Sequence, residues 1–392
     1  MKSIVNRSLL TGIVLFGIAC STPQNEVVEI QEISEPPEVR ENHRVPPSKP
    51  IETVFDDYEI DKPISHKGLQ VFLISGPSEI KNSTYTTLDQ AMKTEVVTVN
   101  ETGNVGELSI KNNGNKPVYI HSGDIVKGGK QDRTIANDMV IPPNSKTIPL
   151  KSFCVEQSRW RQRGSEDVSK FSGNSRMLSS KELKYAAKYK GNQSDVWSNV
   201  SKEQSKLNRN ISRLRGKNVD VKQNESASSL QLTLENEELK KVKSGMKEKF
   251  DSLLTGDEKT IGYAYAINGK VYGVEMFNNK KLLKDLWGKL SHSIMDEAVA
   301  NYDTSSTNYK ELNQEDVIAF INATKSNEVK ESEKGINQST QLITQETKTD
   351  VLFSTIDLDK EKWLHKSYME KDTTLAQHNT PLNMNRRIIY TN

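Results

Sequence analysis

Residues 9–18 form a mostly apolar run behind Lys2 and Arg7, and the run closes on Gly17-Ile18-Ala19-Cys20. A bilayer-crossing helix needs roughly twenty apolar residues, so this segment is too short to span. A positive start, a short apolar stretch and small residues ahead of a cysteine are the parts of a lipoprotein signal peptide. Gly17 departs from the aliphatic residue usual at that position, and an ordinary secretory leader is the simpler alternative. The expectation is therefore cleavage after residue 19, acylation of Cys20 and export, with stable anchoring once Cys20 carries two or more acyl chains. Ser21, with no Asp beside the anchor, favours the outer membrane if the organism has two. Export constrains the fold as well. The chain has two cysteines, and lipidation consumes one, so Cys154 stands alone and no internal disulfide can form. A hydrophobic core must hold the domain together.

The whole chain carries 54 basic and 52 acidic residues. Loss of Lys2 and Arg7 with the leader balances the charge. That balance argues against nucleic acid as a bulk partner. The partners expected are a membrane, reached through the N-terminal lipid, and an anionic small molecule; protein partners stay open.

Residues 1–19 are thus expected to be the signal peptide, and 20–66 a disordered, lipid-anchored tether. The tether contains Glu-Pro-Pro, Val-Pro-Pro and Lys-Pro steps that block helix and sheet. From Leu69 the pattern changes. Residues 69–74 and 96–99 read as strands and 87–92 as a short helix. Residues 107–110 and 118–120 flank Asn113-Gly114 and read as a hairpin; 139–141 and 146–155 flank Pro142-Pro143 and read as another. Trp197, Val200, Leu207, Ile211 and Leu214 share one face of a helix that Gln204 interrupts, and Leu239, Val242, Met246, Phe250 and Leu253 mark a second. Residues 261–267 and 271–277 around Asn268-Gly269 make the clearest hairpin. Leu282, Leu283, Leu286, Trp287, Leu290 and Ile294 then define a buried helix, and Val317, Ile318 and Ile321 a shorter one. Residues 347–353 and 362–369 read as closing strands. The expected fold class is α+β. A single domain, 67–371, has a mostly antiparallel β N-terminal half, a helical middle, a β-hairpin near 261–277 and packed helices after it; 372–392 is a polar tail.

Three stretches carry a resemblance: 85–92 (Tyr-Thr-Thr-Leu-Asp-Gln-Ala-Met), 122–133 running on to Cys154-Val-Glu-Gln-Ser-Arg-Trp160, and 262–277 followed by Leu286-Trp287. Together with His365 on a later strand they resemble the ARG and rhodanese–phosphatase superfamily-associated protein domain over about residues 68–370. Asp124 stands where that family more often has Glu, and Gly129 where it often has Ala. The resemblance implies the fold, and a link to ADP-ribose or NAD-related pathways through neighbouring genes; it implies no reaction, and no cofactor is expected. A lipid at Cys20 would place the domain away from the cytoplasmic NAD pool.

Residues 123–133 are the expected site. Gly128 and Gly129 would let the backbone approach a ligand and offer N–H groups to an anion. Lys130, Gln131 and Arg133 would bind it, with Glu156, Gln157 and Arg159 facing the same cleft from a strand end. The alternatives are a bulged turn with solvated charges, and an internal ion-pair network. Asp124, Glu156 and His121 are weak candidates for acid or base. Cys154 reads most simply as a buried packing residue. The six histidines show no ligand spacing, so no metal is expected. Trp160, Trp197 and Trp287 read as core, and Glu275 as facing solvent or the cleft. Three functions stay open: a binding module for an anionic or polar ligand, a hydrolase or transferase on an ADP-ribose-like or phosphorylated substrate, and a non-catalytic scaffold.

Overall fold

The computed structural model describes residues 57–371, apart from 83, 158, 175, 304–308 and 325–328. Cys20, the leader, most of the tether and the tail lie outside the described residues. The chain opens with β1 (Glu59–Ile60), β2 (Ile64–His66), β3 (Leu69–Ser75), β4 (Thr86–Thr87) and α1 (Leu88–Lys93). Seven strands follow: β5 (Val97–Glu101), β6 (Glu107–Asn112), β7 (Val118–Ile120), β8 (Ile125–Gly128), β9 (Arg133–Ile135), β10 (Met139–Ile141) and β11 (Ile148–Cys154). β12 (Phe171–Ser172) leads to α2 (Lys181–Tyr185), which continues as a π-turn (Ala186–Lys190). Then come α3 (Gln193–Arg215), α4 (Leu230–Leu234), α5 (Glu237–Phe250), β13 (Thr260–Ile267), β14 (Lys270–Phe277), α6 (Lys280–Ala300) and α7 (Gln314–Ala323). β15 (Lys330–Asn337), β16 (Thr340–Glu346), β17 (Asp350–Asp357) and β18 (Lys362–Glu370) close the domain. The fold is α+β.

One large sheet runs β1-β3-β13-β14-β18-β17-β16-β15, with β2 also on β3. Its strands alternate two buried faces. Val71, Leu73, Tyr263, Tyr265 and Phe277 pack against Leu286, Trp287 and Leu290 of α6 and against α3 and α5. Phe72, Ile74, Ala264, Val274 and Met276 face Val317 and Ile321 of α7. A period of two thus fills two cores from one sheet. The two smaller sheets, β10-β7-β4 and β12-β8-β9-β11-β6-β5, enclose a third core around Leu108, Ile110, Ile120, Ile135 and Leu150.

The domain starts earlier than the prolines suggest, because β1 and β2, inside the expected tether, both pair with β3. The hairpin at Asn268-Gly269 forms as expected, with φ of 53° and 72° at the two turn residues, as a type I′ turn requires. The two earlier hairpins do not form. Neither Asn113 nor Gly114 takes a positive φ; instead β6 pairs with β11 and β7 with β10. The two segments run side by side as one bent antiparallel ribbon. Asn112 holds the bend, its Nδ2 donating to the carbonyls of Lys116, Ile141 and Pro142 at 2.8, 3.3 and 3.0 Å. β15 and β16 have no counterpart in the sequence expectations; β15 is exposed on most of its length and lacks an apolar face to read.

The turn at Gly269 supplies a direct test. A Cβ there would lie 2.9 Å from the Lys310 carbonyl oxygen, and φ is +72°. Gly269→Ala should therefore cost about 1–2 kcal/mol, lowering Tm by roughly 2–4 °C per kcal/mol. Gly335→Ala, which would meet nothing within 4 Å, should leave Tm almost unchanged. Equal losses in the two variants would contradict the turn assignment.

Candidate functional site

Three polar clusters lie in this frame, and they differ in whether their groups are already spoken for. The first is the expected site. Gly128 and Gly129 take φ of 125° and 53°, but what approaches them is β12: a Cβ on Gly128 would sit 2.8 Å from the Lys170 carbonyl, and one on Gly129 would strike the Phe171 ring. Their N–H groups donate to the Asp132 carboxylate (3.0 Å) and the Lys170 carbonyl (3.1 Å). Asp132 receives both terminal nitrogens of Arg163, at 2.8 and 3.0 Å, and the Ser229 hydroxyl at 3.1 Å. Glu156 is paired with Arg159 at 2.8 Å and Arg163 at 3.5 Å. Arg159 also donates to the carbonyls of Gly129 and Gly128, and Gln131 to that of Glu156. Arg133 spans Val105, the Cys154 sulfur and Glu101. Asp132, Glu156, Arg159 and Arg163 thus close on one another, with Gln131 bonded to the Glu156 carbonyl, while Arg133 turns away to Glu101 and Cys154.

Gln157 points outward. Trp160, expected in the core, is 47% exposed, with Lys130 5.0 Å and Arg133 5.8 Å from its ring centre, so its packing partners are cations. Cys154 is fully buried, and burial pushes its thiol up to about 11. It is a packing thiol rather than a thiolate. Asp124 is bound at 2.7 Å by the buried Lys289 and accepts the His121 N–H.

The second cluster centres on Asp138. Its carboxylate accepts from the Tyr119 hydroxyl (2.9 Å), the Ser122 N–H (3.0 Å), the Thr355 hydroxyl (3.1 Å) and the Lys188 ammonium (2.5 Å). His121 Nδ1 and His365 Nδ1 each lie 3.3 Å from the same oxygen. His365 Nε2 meets Glu275 at 2.8 Å, and Lys184 stands 3.8 Å from Glu275. Glu275 is therefore buried and faces neither solvent nor a cleft. Burial opposes the charge on Asp138, yet Lys188 and His365 hold its carboxyl well below the usual range. Against the same burial, Lys184 and His365 hold Glu275 at about 2. Burial lowers His121, whose Nε2 has no hydrogen-bond partner, while the Asp138 and Glu275 carboxylates raise His365. Histidines far apart in sequence thus meet, and His121, Asp138 and His365 offer ligand atoms within 4.8 Å of one another. The donors on Asp138 already saturate it, and a divalent ion would add two charges beside Lys184 and Lys188. The chemistry is that of a closed ion cluster.

The third cluster lines a cleft of about 480 Å³, walled by α2, α3, the end of α6, and the near ends of β14 and β18. Glu203 of α3 and Glu297 of α6 form its floor, 7% and 2% exposed. The Ser180 hydroxyl donates to Glu203 at 2.7 Å. The Tyr265 hydroxyl and the Lys181 N–H each donate to Glu297 at 2.9 Å. Neither carboxyl makes an ion pair among the described residues. Burial, then the charges of Glu182, Glu297 and Asp296, push Glu203 up to about 8. Burial and Glu182 push Glu297 up to about 7. Around them stand three lysines without an ion-pair partner among the described residues. Lys202 is exposed, Lys206 reaches the Asn301 side-chain oxygen at 2.8 Å, and Lys181 lies 4.3 Å over the Tyr272 ring. Two carboxyls that titrate near neutrality, with unpaired ammonium groups in one concavity, are what a ligand or reaction site requires.

No expectation pointed to this cleft. Its trace in the sequence is an acid on an apolar helix face: Glu203 follows Val200 by three and precedes Leu207 by four, and Glu297 follows Ile294 by three.

Residues 57–369 match the ARG and Rhodanese-Phosphatase-superfamily-associated Protein domain. The chain belongs to that family. No curated protein and no solved structure matches it. The family match begins at residue 57, just ahead of β1, which agrees with the earlier start of the domain, and it carries an undetermined activity.

The raised Glu203 predicts a pH dependence. A carboxyl raised on folding stabilises the protein fully below its unfolded value, near 4.5, and that contribution is lost as pH rises towards about 8. Glu203→Gln should thus gain stability relative to wild type as pH rises from 5.5 to 8, by up to about 1.4 kcal/mol per pH unit. Urea unfolding across that range checks it. A wild-type-minus-variant difference that does not move with pH would refute the buried neutral acid.

Proposed function

We propose that this chain is an envelope lipoprotein, held by a lipid on Cys20, whose domain binds an anionic or polar small molecule in the cleft over Glu203 and Glu297. The observation that carries the reading is that Lys181, Lys202 and Lys206, which make no ion pair among the described residues, line one cleft. The glycine-rich loop, by contrast, has its N–H groups and guanidinium groups bonded internally. A second reading, hydrolysis or group transfer on an ADP-ribose-like or phosphorylated substrate, is favoured by one further observation: Glu203 and Glu297 are pushed to about 8 and about 7. A carboxyl acid and a carboxylate base at neutral pH could then work as a pair. A scaffold role remains as the outcome in which the cleft takes no ligand.

Two measurements test the proposal. Cys20→Ala should move the protein from the membrane fraction to the soluble fraction; a variant that stays with the membrane sinks the lipid anchor. Thermal shift of the mature chain against phosphate, pyrophosphate, ADP-ribose and NAD tests the cleft. At a hundredfold excess over Kd a ligand adds about 2.7 kcal/mol, and the Lys202→Ala/Lys206→Ala double variant should abolish the gain. No shift with any of the four leaves the scaffold role.

A further inference from the structure

The cleft carries more than an anion site needs. An oxyanion alone is satisfied by the lysines, and it has no hydrogen to donate to the carboxyl oxygens on the floor. A simple cation is satisfied by the acids, and the lysines would repel it. The lining holds both kinds: Lys181, Lys202 and Lys206 on the rim, with Glu182, Glu203 and Glu297 beside and below them. Two further lysines of the lining are already neutralised, Lys270 by Glu370 at 2.5 Å and Lys371 by Glu346 at 2.5 Å.

The arrangement is also ordered in space. Lys202 and Lys206 are four residues apart on α3, with Glu203 between them. Lys206 reaches across to Asn301, which caps the end of α6. Glu297 lies one turn before that cap, tied to the Lys181 backbone and to Tyr265. The ammonium groups therefore belong to α2 and α3, Glu203 and Glu297 to the floor, and the half-buried Glu182 to the α2 rim beside Lys181.

From this we infer that the cleft takes a phosphorylated sugar, with the phosphate on Lys181, Lys202 and Lys206 and the sugar hydroxyls on Glu182, Glu203 and Glu297. This rests on the anion-binding reading above. A hydroxyl both donates and accepts, so it can satisfy an ionised carboxylate and an unionised carboxyl alike. The ammonium of an amino acid or a polyamine has only donors to offer and would face a floor carboxyl that keeps its proton. The volume, about 480 Å³, lies within the range that small-molecule sites occupy. The phosphate supplies the charge-assisted hydrogen bonds, and the hydroxyls add donors and acceptors for carboxyls that Ser180, Tyr265 and the Lys181 N–H already bind.

The test is calorimetric titration of the full mature chain at pH 7 with ribose 5-phosphate, glucose 6-phosphate, inorganic phosphate and ribose. At least one sugar phosphate should bind tenfold or more tighter than phosphate, with ribose undetectable. Lys202→Ala/Lys206→Ala should weaken sugar phosphate and phosphate alike by at least tenfold. Glu297→Gln should weaken the sugar phosphate at least fivefold and leave phosphate unchanged. Glu182→Gln, at a half-buried position, gives the same comparison if Glu297→Gln does not fold. Phosphate bound as tightly as both sugar phosphates would overturn the sugar assignment and leave the anion site standing. Absence of binding by all four probes would overturn both.

Discussion

The Asp138 carboxylate is the joint on which the domain is assembled. Its partners come from β7 (Tyr119), the turn after it (Ser122), the π-turn (Lys188), β17 (Thr355) and β18 (His365). One side chain thereby ties the β10-β7-β4 sheet to the large sheet and to the α2 segment. The tie continues through His365 to Glu275 and on to Lys184 of α2. Burying these charges has a large desolvation cost, and replacing one partner would leave another uncompensated at a cost of roughly 3–5 kcal/mol. Such a cluster specifies geometry more than it stabilises. The geometry it specifies is the position of α2, whose Ser180 cap and Lys181 form one wall of the cleft.

Four buried carboxyls show how pairing decides chemistry. Asp138 and Glu275 have ammonium and imidazole partners and are held ionised. Glu203 and Glu297 are buried as deeply but have hydroxyl and amide donors in place of cations, and they rise towards neutrality. Depth alone is the same in both pairs, so the difference lies in the counter-charge. The ionised pair closes the fold. The protonatable pair lines a cleft whose lysines Lys181, Lys202 and Lys206 make no ion pair among the described residues.

Much of the fold was legible because local patterns are local causes. The type I′ turn at Asn268-Gly269 needs two positive φ values and the residues that tolerate them. The faces of α3, α5 and α6 follow from apolar spacing, and Leu207, Met246, Trp287 and Leu290 are buried as that spacing implies. Strand pairing was legible only where a turn dictated it. At 107–120 and 139–154 each strand had two candidate partners. The choice was made by Asn112, whose amide bridges the two loops, and no periodicity reports that contact. Trp160 was misplaced for a related reason: an aromatic in a strand-like segment reads as core until cations are seen against its face.

The site was less legible because charge density in sequence does not distinguish a charge that awaits a ligand from one that has met its partner. Residues 123–133 and 156–163 put many such groups close together, and folding closes them on one another. Each guanidinium that grips a carboxylate inside the protein is one fewer available outside it. The two floor acids have the reverse signature: Glu203 and Glu297 lie far apart in the chain, each on the buried face of its helix. A glutamate on the buried face of an amphipathic helix is costly unless it is paired or holds its proton. Glu203 and Glu297 have hydrogen-bond donors but no ion pair among the described residues. They are the positions where the sequence departs from what packing alone would select, and such departures are where function is expected to be found.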